Sequence, residues 1–382
     1  MLKRINMLRE FSIPLIAGVV MALFWANLDP PGYHRFVHAP LVGPLSFHFI
    51  SNELFMVFFF GIAAVEITQS CLPGGDLNPP RKAVNPLLAT LGGVLGPVAV
   101  YHLLNGVIGS PALTNGWGIP TATDIALAWL VARLVFGANH PVISFLLLLA
   151  IADDAIGLAI IAVFYPDPAF PVAPVWLGLT VAGMIVAWLM RRCGIGSYWP
   201  YLVAGGVPSW LGLHYAHLHP ALALVFIVPF LPSSPREKKH LFEEDIRDVS
   251  PLANFEHEWK VLVDFGLFTF GLANGGVEFS AAGPVTWLVL VALLVGKTLG
   301  VFGCGLLGRG LGFPLPSGMG TRHLLVAGMI AGIGFTVALF VAGEAFADPL
   351  VQGAAKMGAM LSIVIALLAF LVAKLLGIRK VP

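Results

Sequence analysis

Four charged residues fall inside segments that are otherwise apolar and helical in pattern. They are Asp124, Asp153, Asp154 and Lys297. In a lipid bilayer each costs several kcal/mol, about 2.5–3.5 kcal/mol on an insertion scale, unless it is paired or hydrated. Three acids against one base leave an excess of negative charge at membrane depth, which favours a site for a cation or for protons. An aspartate–lysine pair that only holds two helices together is the structural alternative.

Asp153 and Asp154 are adjacent within residues 150–157, which are expected to be helical. Successive residues of a helix lie about 100° apart around its axis, so the two carboxylates face different neighbours. One is expected to pair with Lys297 and the other to face a water-filled funnel. Sodium is a hard cation that prefers oxygen ligands, and protons compete for the same oxygens. If the site opens alternately to the two sides, this competition is an exchange mechanism.

Two further segments combine helix-breaking residues with polar ones. Residues 117–124 contain Pro120, two threonines and Asp124, and residues 330–336 contain two glycines and a threonine. Unwound backbone at membrane depth is tolerated only where protein buries it or where it lines a cavity. The paired positions predict inverted repeats with two crossed discontinuous helices, whose partial end charges Asp124 and Lys297 would offset. Ordinary kinks packed with small residues are the alternative.

The composition places this site in a membrane protein. The 382 residues are 58% hydrophobic and only 11% charged, with a mean hydropathy of +0.89, whereas soluble domains carry about 25% charged residues. A water-soluble globule is excluded. The net charge of +1 provides no basic surface for nucleic acid. Cys71, Cys193 and Cys304 are widely spaced, which predicts neither a disulfide nor a metal cage, and we expect packing thiols.

The hydropathy predicts an all-α protein with about twelve transmembrane helices, each of about 20 residues. Spans 1 to 12 are predicted near residues 12–28, 53–70, 86–105, 117–136, 141–164, 172–191, 198–213, 217–231, 255–275, 285–306, 321–345 and 353–376. With a cytoplasmic N-terminus, all but three of the 21 basic residues fall on the cytoplasmic side, as the positive-inside rule requires. The exceptions are Arg35, Lys297 and Lys356. Residues 1–382 are therefore one multi-pass domain with both termini cytoplasmic.

Two polar connections interrupt this pattern. Residues 29–51 are predicted to lie outside, either as an unstructured loop or as a hairpin around Gly43 and Pro44 that serves dimer contact. Residues 232–254 are predicted to form a charged cytoplasmic loop, for which a solvated linker is the simplest interpretation.

Four motifs, in this order, resemble the NhaA-type sodium/proton antiporters over nearly the whole chain. They are IPTATDIA at 119–126, AIADD at 150–154, VGKTLG at 295–300 and GIGFT at 332–336. The resemblance implies an inverted-repeat transporter fold in which spans 4 and 11 are the crossed, discontinuous helices.

The resemblance also implies roles for the charged residues. Asp154 resembles the family's main cation-binding carboxylate, and Asp153 the carboxylate that pairs with the membrane lysine, here Lys297. Thr123 and Asp124 resemble the residues that tune the site where the extended segments cross. Asp153 and Asp154 are thus the expected ligands of a transported Na+ or Li+ ion, and no cofactor is expected.

As a function, the resemblance implies electrogenic exchange, in which more protons enter than Na+ or Li+ ions leave, for sodium and pH homeostasis. It implies activity that rises at alkaline pH. It further implies a homodimer surrounded by lipid in the cytoplasmic (inner) membrane of a bacterium.

The regulatory region departs from the family pattern. The family shows Glu-Val-Lys-Arg-Glu at the cytoplasmic end of span 2, where residues 66–70 of this chain read EITQS, so a pH-sensing charge cluster is thinned. Glu66 and Glu256 remain candidates for the cytoplasmic funnel, and a solvated surface role is equally open for each. Asp264 in span 9 lacks a family counterpart and is either an additional proton site or a buried hydrogen-bonded acid.

Histidines before span 8 offer a second regulatory candidate. His219 matches a family histidine linked to pH response. His214, His217 and His219 could hold a transition metal in a suitable fold. Pro220 follows, however, and no cysteine or carboxylate is adjacent, so the spacing does not favour a metal site.

Two other functions compete with antiport. A sodium-coupled organic-solute symporter of a related crossed-helix fold would need a larger polar or aromatic pocket beside the ion site. An intramembrane aspartyl protease needs two acids on facing helices that share a proton, whereas Asp153 and Asp154 are adjacent and diverge. The sequence therefore favours a transporter over an enzyme.

Overall fold

The computed structural model describes residues 13–43, 45–73, 80–166, 171–233 and 250–380. Within these ranges the structure is helical apart from loops and one short strand pair. The helices long and apolar enough to cross a membrane are Phe47–Cys71, Ala83–Ile108, Pro141–Phe164, Pro174–Arg192, Pro284–Gly310 and Pro349–Leu375. They correspond to spans 2, 3, 5, 6, 10 and 12, so the all-α membrane fold is confirmed.

Spans 4 and 11 are each divided into two arms. The arms are Pro111–Thr121 and Ile125–Phe136, which meet at 57°, and Thr321–Ala331 and Thr336–Ala345, which meet at 48°. We call the unwound residues between them break 4 (residues 122–124) and break 11 (residues 332–335). Break 4 follows Pro120, which lacks a backbone N–H, and break 11 contains two glycines, which favour non-helical backbone.

The two breaks contact each other through their backbones. The N–H of Asp124 donates to the carbonyl of Ile333 at 2.7 Å, and a Cβ on Gly334 would lie only 2.8 Å from the carbonyl oxygen of Ala122. Backbone groups that leave a helix inside a membrane need partners of this kind. The two discontinuous spans are therefore confirmed, while their crossing stays a prediction.

The main hydrophobic core surrounds the two breaks. Ile119, Ala122, Leu293, Ile333 and Phe335 are all buried in this cluster. Protein rather than lipid therefore shields the non-helical backbone, which is the condition for its stability at membrane depth.

The remaining predicted spans are also helical, but they are shorter or more polar. They contain Ile13–Leu28, Tyr201–Gly206 with Val207–Tyr215, Pro220–Phe226 with Val228–Phe230, and Pro251–Asn274. Span 8 is built from 3₁₀ turns, which rise about 2.0 Å per residue against 1.5 Å in an α-helix. Its few residues therefore reach further across the membrane than an α-helix of the same length. The described residues fit about twelve spans.

Spans 3 and 10 pack closely because the residues where they meet are glycines, which have no side chain. A Cβ on Gly300 would lie 1.9 Å from the carbonyl oxygen of Gly92, and one on Gly96 would lie 2.2 Å from that of Gly296. Small residues allow such backbone approach in membranes. This contact fixes the part of span 10 that carries Lys297.

Gly300→Ala should destabilise the protein, because the added methyl group would collide with backbone that cannot move aside. We expect a loss of about 1–3 kcal/mol in the free energy of unfolding, seen as a lower midpoint in detergent melting. Gly303→Ala is the matched control on the same helix, since a Cβ there meets nothing within 4 Å. Equal melting of the two variants would contradict the packing argument.

The segment that follows span 1 is ordered. Pro30–His38 is a helix, and Pro40–Val42 pairs antiparallel with Leu45–Ser46. Pro44, in the predicted turn, lies outside the described residues. In the cytoplasmic loop predicted at 232–254, residues 234–249 lie outside them too, and the next helix begins at Pro251.

The prediction for the cysteines is wrong in part. Cys304 lies against Gly92, with its Sγ 2.7 Å from the Cβ position of that glycine. Cys71 and Cys193 are exposed, because one is the last residue of a helix and the other caps the end of Leu177–Arg192.

Candidate functional site

An ion pair between spans 5 and 10 forms the centre of the site. The Nζ atom of Lys297 lies 2.6 Å from Oδ2 of Asp153, and both side chains are fully buried. Asp153 projects from the middle of Pro141–Phe164, and Lys297 ends a π-helical turn over Ala292–Lys297. Removing two charges from water is costly, and only a close pairing offsets that cost.

The ammonium group of Lys297 also reaches the end of a half-helix. It donates to the carbonyl oxygen of Thr121 at 2.5 Å. Thr121 is the last residue of the first arm of span 4, where the carbonyl groups lack intrahelical partners and carry partial negative charge. The lysine therefore neutralises a carboxylate and a helix end together.

Asp124 provides a negative charge at the N-termini of the second arms of spans 4 and 11. Its Oδ1 accepts from the N–H of Leu127 at 3.0 Å, and its Oδ2 accepts from the N–H of Thr336 at 3.1 Å and from the Thr336 hydroxyl. One carboxylate thus caps Ile125–Phe136 and Thr336–Ala345, whose N-termini each carry about half a positive charge. Asp124 lies in break 4, so its predicted place inside a helix is wrong. The role of Thr336 is not apparent from the sequence.

Thr123 links the aspartate–lysine pair to break 11. Its Oγ1 lies 2.6 Å from Oδ2 of Asp153 and 2.8 Å from the carbonyl oxygen of Ala331. A threonine hydroxyl has one proton to donate, so it serves one acceptor at a time when Asp153 is ionised. When Asp153 is protonated, it can donate to Thr123 while Thr123 donates to Ala331.

Asp154, the next residue along the helix, is partly exposed, whereas Asp153 is buried. Among the described residues, no hydrogen-bond partner reaches Oδ1 of either aspartate, although both atoms are buried. Gly157, three residues further along the same helix face, has no side chain, and the one neighbour that the described structure places within 4 Å of its Cβ position is the Cβ of Ala122, at 3.9 Å. Two unpartnered carboxylate oxygens are ligands available to a cation.

Glu66 and Glu256 are brought together by a lysine. The Nζ of Lys260 lies 3.5 Å from Oε1 of Glu256 and 4.0 Å from Oε1 of Glu66, and Gln69 donates to Oε2 of Glu256 at 2.7 Å. Sequence reasoning missed Lys260 as a site residue, although its i,i+4 spacing from Glu256 was a usable signal.

His219 belongs to a different group of residues. It is buried, its Nε2 hydrogen-bonds the carbonyl of Tyr165, and its Nδ1 lies 3.8 Å from Oε2 of Glu344. His214 stacks on a tryptophan ring, and His217 has a positive φ of 60°. Among the described residues, these three histidines do not gather as one ligand set.

Sequence reasoning also missed a second buried lysine. Lys356 in span 12 is buried, with its Nζ 3.3 Å from Oδ1 of Asn274. Asn274 is in turn hydrogen-bonded to Asn52 at 2.8 Å. The sequence does single out Lys356, because it is one of the three basic residues that do not fall on the cytoplasmic side.

Comparisons with known proteins agree with a site that binds cations or protons. The family described as Na+/H+ antiporter 1 matches residues 5–374. The Na(+)/H(+) antiporter NhaA of Geotalea uraniireducens is 73% identical, covering 100% of this chain and 98% of its own length. That of Geobacter sulfurreducens is 69% identical, with 100% of both chains covered.

A likeness among solved structures concerns the fold alone. The sodium proton antiporter MjNhaP1 from Methanocaldococcus jannaschii superposes with a TM-score of 0.57 at 15% identity, covering 95% of this chain and 91% of its own. The helical arrangement is therefore shared with a protein of very different sequence.

Proposed function

This chain belongs to the Na+/H+ antiporter 1 family and exchanges sodium for protons, and from that premise we propose that Asp153 and Asp154 bind the transported cation. The observation that carries the proposal is the pair of buried Oδ1 atoms without a hydrogen-bond partner in the described part of the chain. Hard cations prefer such oxygens. A purely structural pair would leave Asp154 without a purpose.

The same oxygens account for competition between ions. A cation held by Oδ1 of both aspartates leaves Oδ2 of Asp153 on Lys297. When the cation leaves, Asp154 takes up one proton and the Asp153–Lys297 pair another. Two protons then move for each cation, so we propose electrogenic exchange, with Li+ able to replace Na+.

The test is transport by the purified full-length chain in proteoliposomes on a solid-supported membrane. Jumps of Na+, Li+ and K+ are applied without any organic solute. Transient currents and proton release on Na+ and Li+ jumps are expected. A symporter gives neither until an organic solute is added, and silence under all three ions in folded protein would refute the proposal.

Thr123→Val should weaken exchange, because the variant keeps the side-chain shape but loses the hydroxyl shared by Asp153 and Ala331. We expect a lower apparent Na+ affinity and a loss of about 1.5–3 kcal/mol in stability, typical of a hydrogen bond to a charged group. The same current assay and detergent melting measure both. Thr123→Ser keeps the hydroxyl and should restore the affinity; if Ser and Val behave alike, the hydroxyl has no role.

We further propose that Glu66, Glu256 and Lys260 line the cytoplasmic entrance. Two carboxylates against one ammonium leave a negative charge that attracts cations. In this proposal both termini are cytoplasmic, in a bacterial inner membrane. The distribution of basic residues supports that orientation.

The strand pair after span 1 is proposed as a homodimer contact. Within the described residues each strand has one paired edge, and an open edge invites a second copy. Leu41, in the first strand, is half exposed. Leu41→Asp should shift the dimer toward monomer in native mass spectrometry, and an unchanged dimer fraction would place the contact elsewhere.

A further inference from the structure

Three residues distant in sequence converge on one point away from the aspartate site. Glu53 lies in span 2, His219 lies directly before the first helical turn of span 8, and Glu344 lies in the second arm of span 11. One ligand atom from each lies within 4.8 Å of the other two. By the positive-inside assignment, all three are near the external face.

The imidazole of His219 is held in the orientation of a metal ligand. The residue is only 6% exposed. Its Nε2–H donates to the backbone carbonyl of Tyr165, so in the neutral ring the lone pair lies on Nδ1, 3.8 Å from Oε2 of Glu344. Metal-binding histidines almost always donate their other N–H to a carbonyl or carboxylate in this way.

We propose that Glu53, His219 and Glu344 bind a divalent transition-metal ion, for which Zn2+ is the best match. One imidazole nitrogen and two carboxylate oxygens are a common zinc donor set, with a fourth position left to water. Bonds of about 2.0–2.1 Å require ligand atoms roughly 3.4 Å apart, so small carboxylate rotations close the site. The nitrogen ligand disfavours hard ions such as Na+ and Mg2+.

The charges around the site permit a divalent ion. Lys356 is the nearest cation in the described part of span 12, with its Nζ 3.9 Å from the Cβ position of Gly343, the neighbour of Glu344. Its ammonium is directed to Oδ1 of Asn274 at 3.3 Å. Two ionised carboxylates carry the charge that balances one divalent ion, and a neutral imidazole adds none.

The test is Zn2+ binding to the full-length protein in detergent, measured by titration calorimetry at pH 7.5. All proteins carry serine in place of Cys71, Cys193 and Cys304, so that thiols do not bind the metal. The reference protein should bind one Zn2+ per chain. Glu344→Gln and His219→Ala should weaken binding about 10- to 100-fold.

A surface histidine pair provides the matched control. His34 and His38 have ring centroids 4.5 Å apart on the external helix Pro30–His38, so their double replacement by alanine should leave Zn2+ affinity unchanged. Loss of binding in that control, or unchanged affinity in Glu344→Gln, would overturn the proposal, as would the lack of binding to the reference protein. Glu53→Gln gives a second reading if His219→Ala fails to fold. The measurement is independent of transport, so antiport can stand or fall separately.

Discussion

Asp154→Asn should abolish sodium-driven currents and proton release while the protein still inserts and folds. An asparagine is nearly the same size as aspartate, but it carries no negative charge and cannot take up and release a proton at neutral pH. Oδ1 of Asp154 has no hydrogen-bond partner within the described residues, so the fold depends little on this carboxylate. We expect exchange to fall to the level of empty liposomes and the melting midpoint to stay or rise.

The comparison variant is Asp264→Asn, which also removes a carboxylate from a membrane helix. Asp264 lies in Pro251–Asn274, near Lys260 of the proposed cytoplasmic entrance rather than beside the Asp153–Lys297 pair, so its variant should retain sodium-driven currents even if cation entry is slowed. Equal loss in both variants would point to a general need for acids in the membrane. Full exchange by Asp154→Asn, measured in the same liposomes, would remove the basis of the proposed site.

Lys297→Ala, unlike Asp154→Asn, should cause a large loss of stability. The lysine is fully buried and pairs with Asp153 at 2.6 Å, and it also donates to the carbonyl of Thr121. Removing one partner leaves a buried charge uncompensated, which costs about 3–5 kcal/mol. The expected result is a strong fall of the melting midpoint in detergent.

A double variant separates charge from packing. Lys297→Ala combined with Asp153→Asn removes both charges, so it should recover part of the stability lost in Lys297→Ala alone. Additive losses in this cycle would show that the two residues do not interact. An unchanged melting midpoint in Lys297→Ala would contradict the ion pair directly.

The opposite profiles of these variants follow from the placement of two neighbouring residues. Oδ2 of Asp153 is held by Lys297 and Thr123, so this residue also maintains the contact between spans. Asp154 is partly exposed and keeps an unpartnered oxygen in the described structure. Loss of Lys297 therefore removes a contact that holds two spans together, whereas loss of the Asp154 carboxylate removes no such contact.

Hydropathy and the cost of buried charge determine much of this protein along the chain itself. Twelve apolar segments, two interrupted spans and the unusual positions of Asp124, Asp153, Asp154 and Lys297 are all visible in the order of the residues. They are predictable because burial, helix breaking and charge desolvation act over a few residues. The prediction that Asp124 lies inside a helix is wrong, but the prediction that its span is interrupted is confirmed.

Only the tertiary structure decided which of these groups touch. The contact of Thr336 with Asp124 joins residues 212 apart, and that of Thr123 with Ala331 joins residues 208 apart. The convergence of Glu53 and Glu344 on His219 likewise supplies the carboxylates that the local sequence lacked. Such contacts depend on how whole helices pack, and no local pattern encodes that packing, so the donors and acceptors of the site became known only once the spans were assembled.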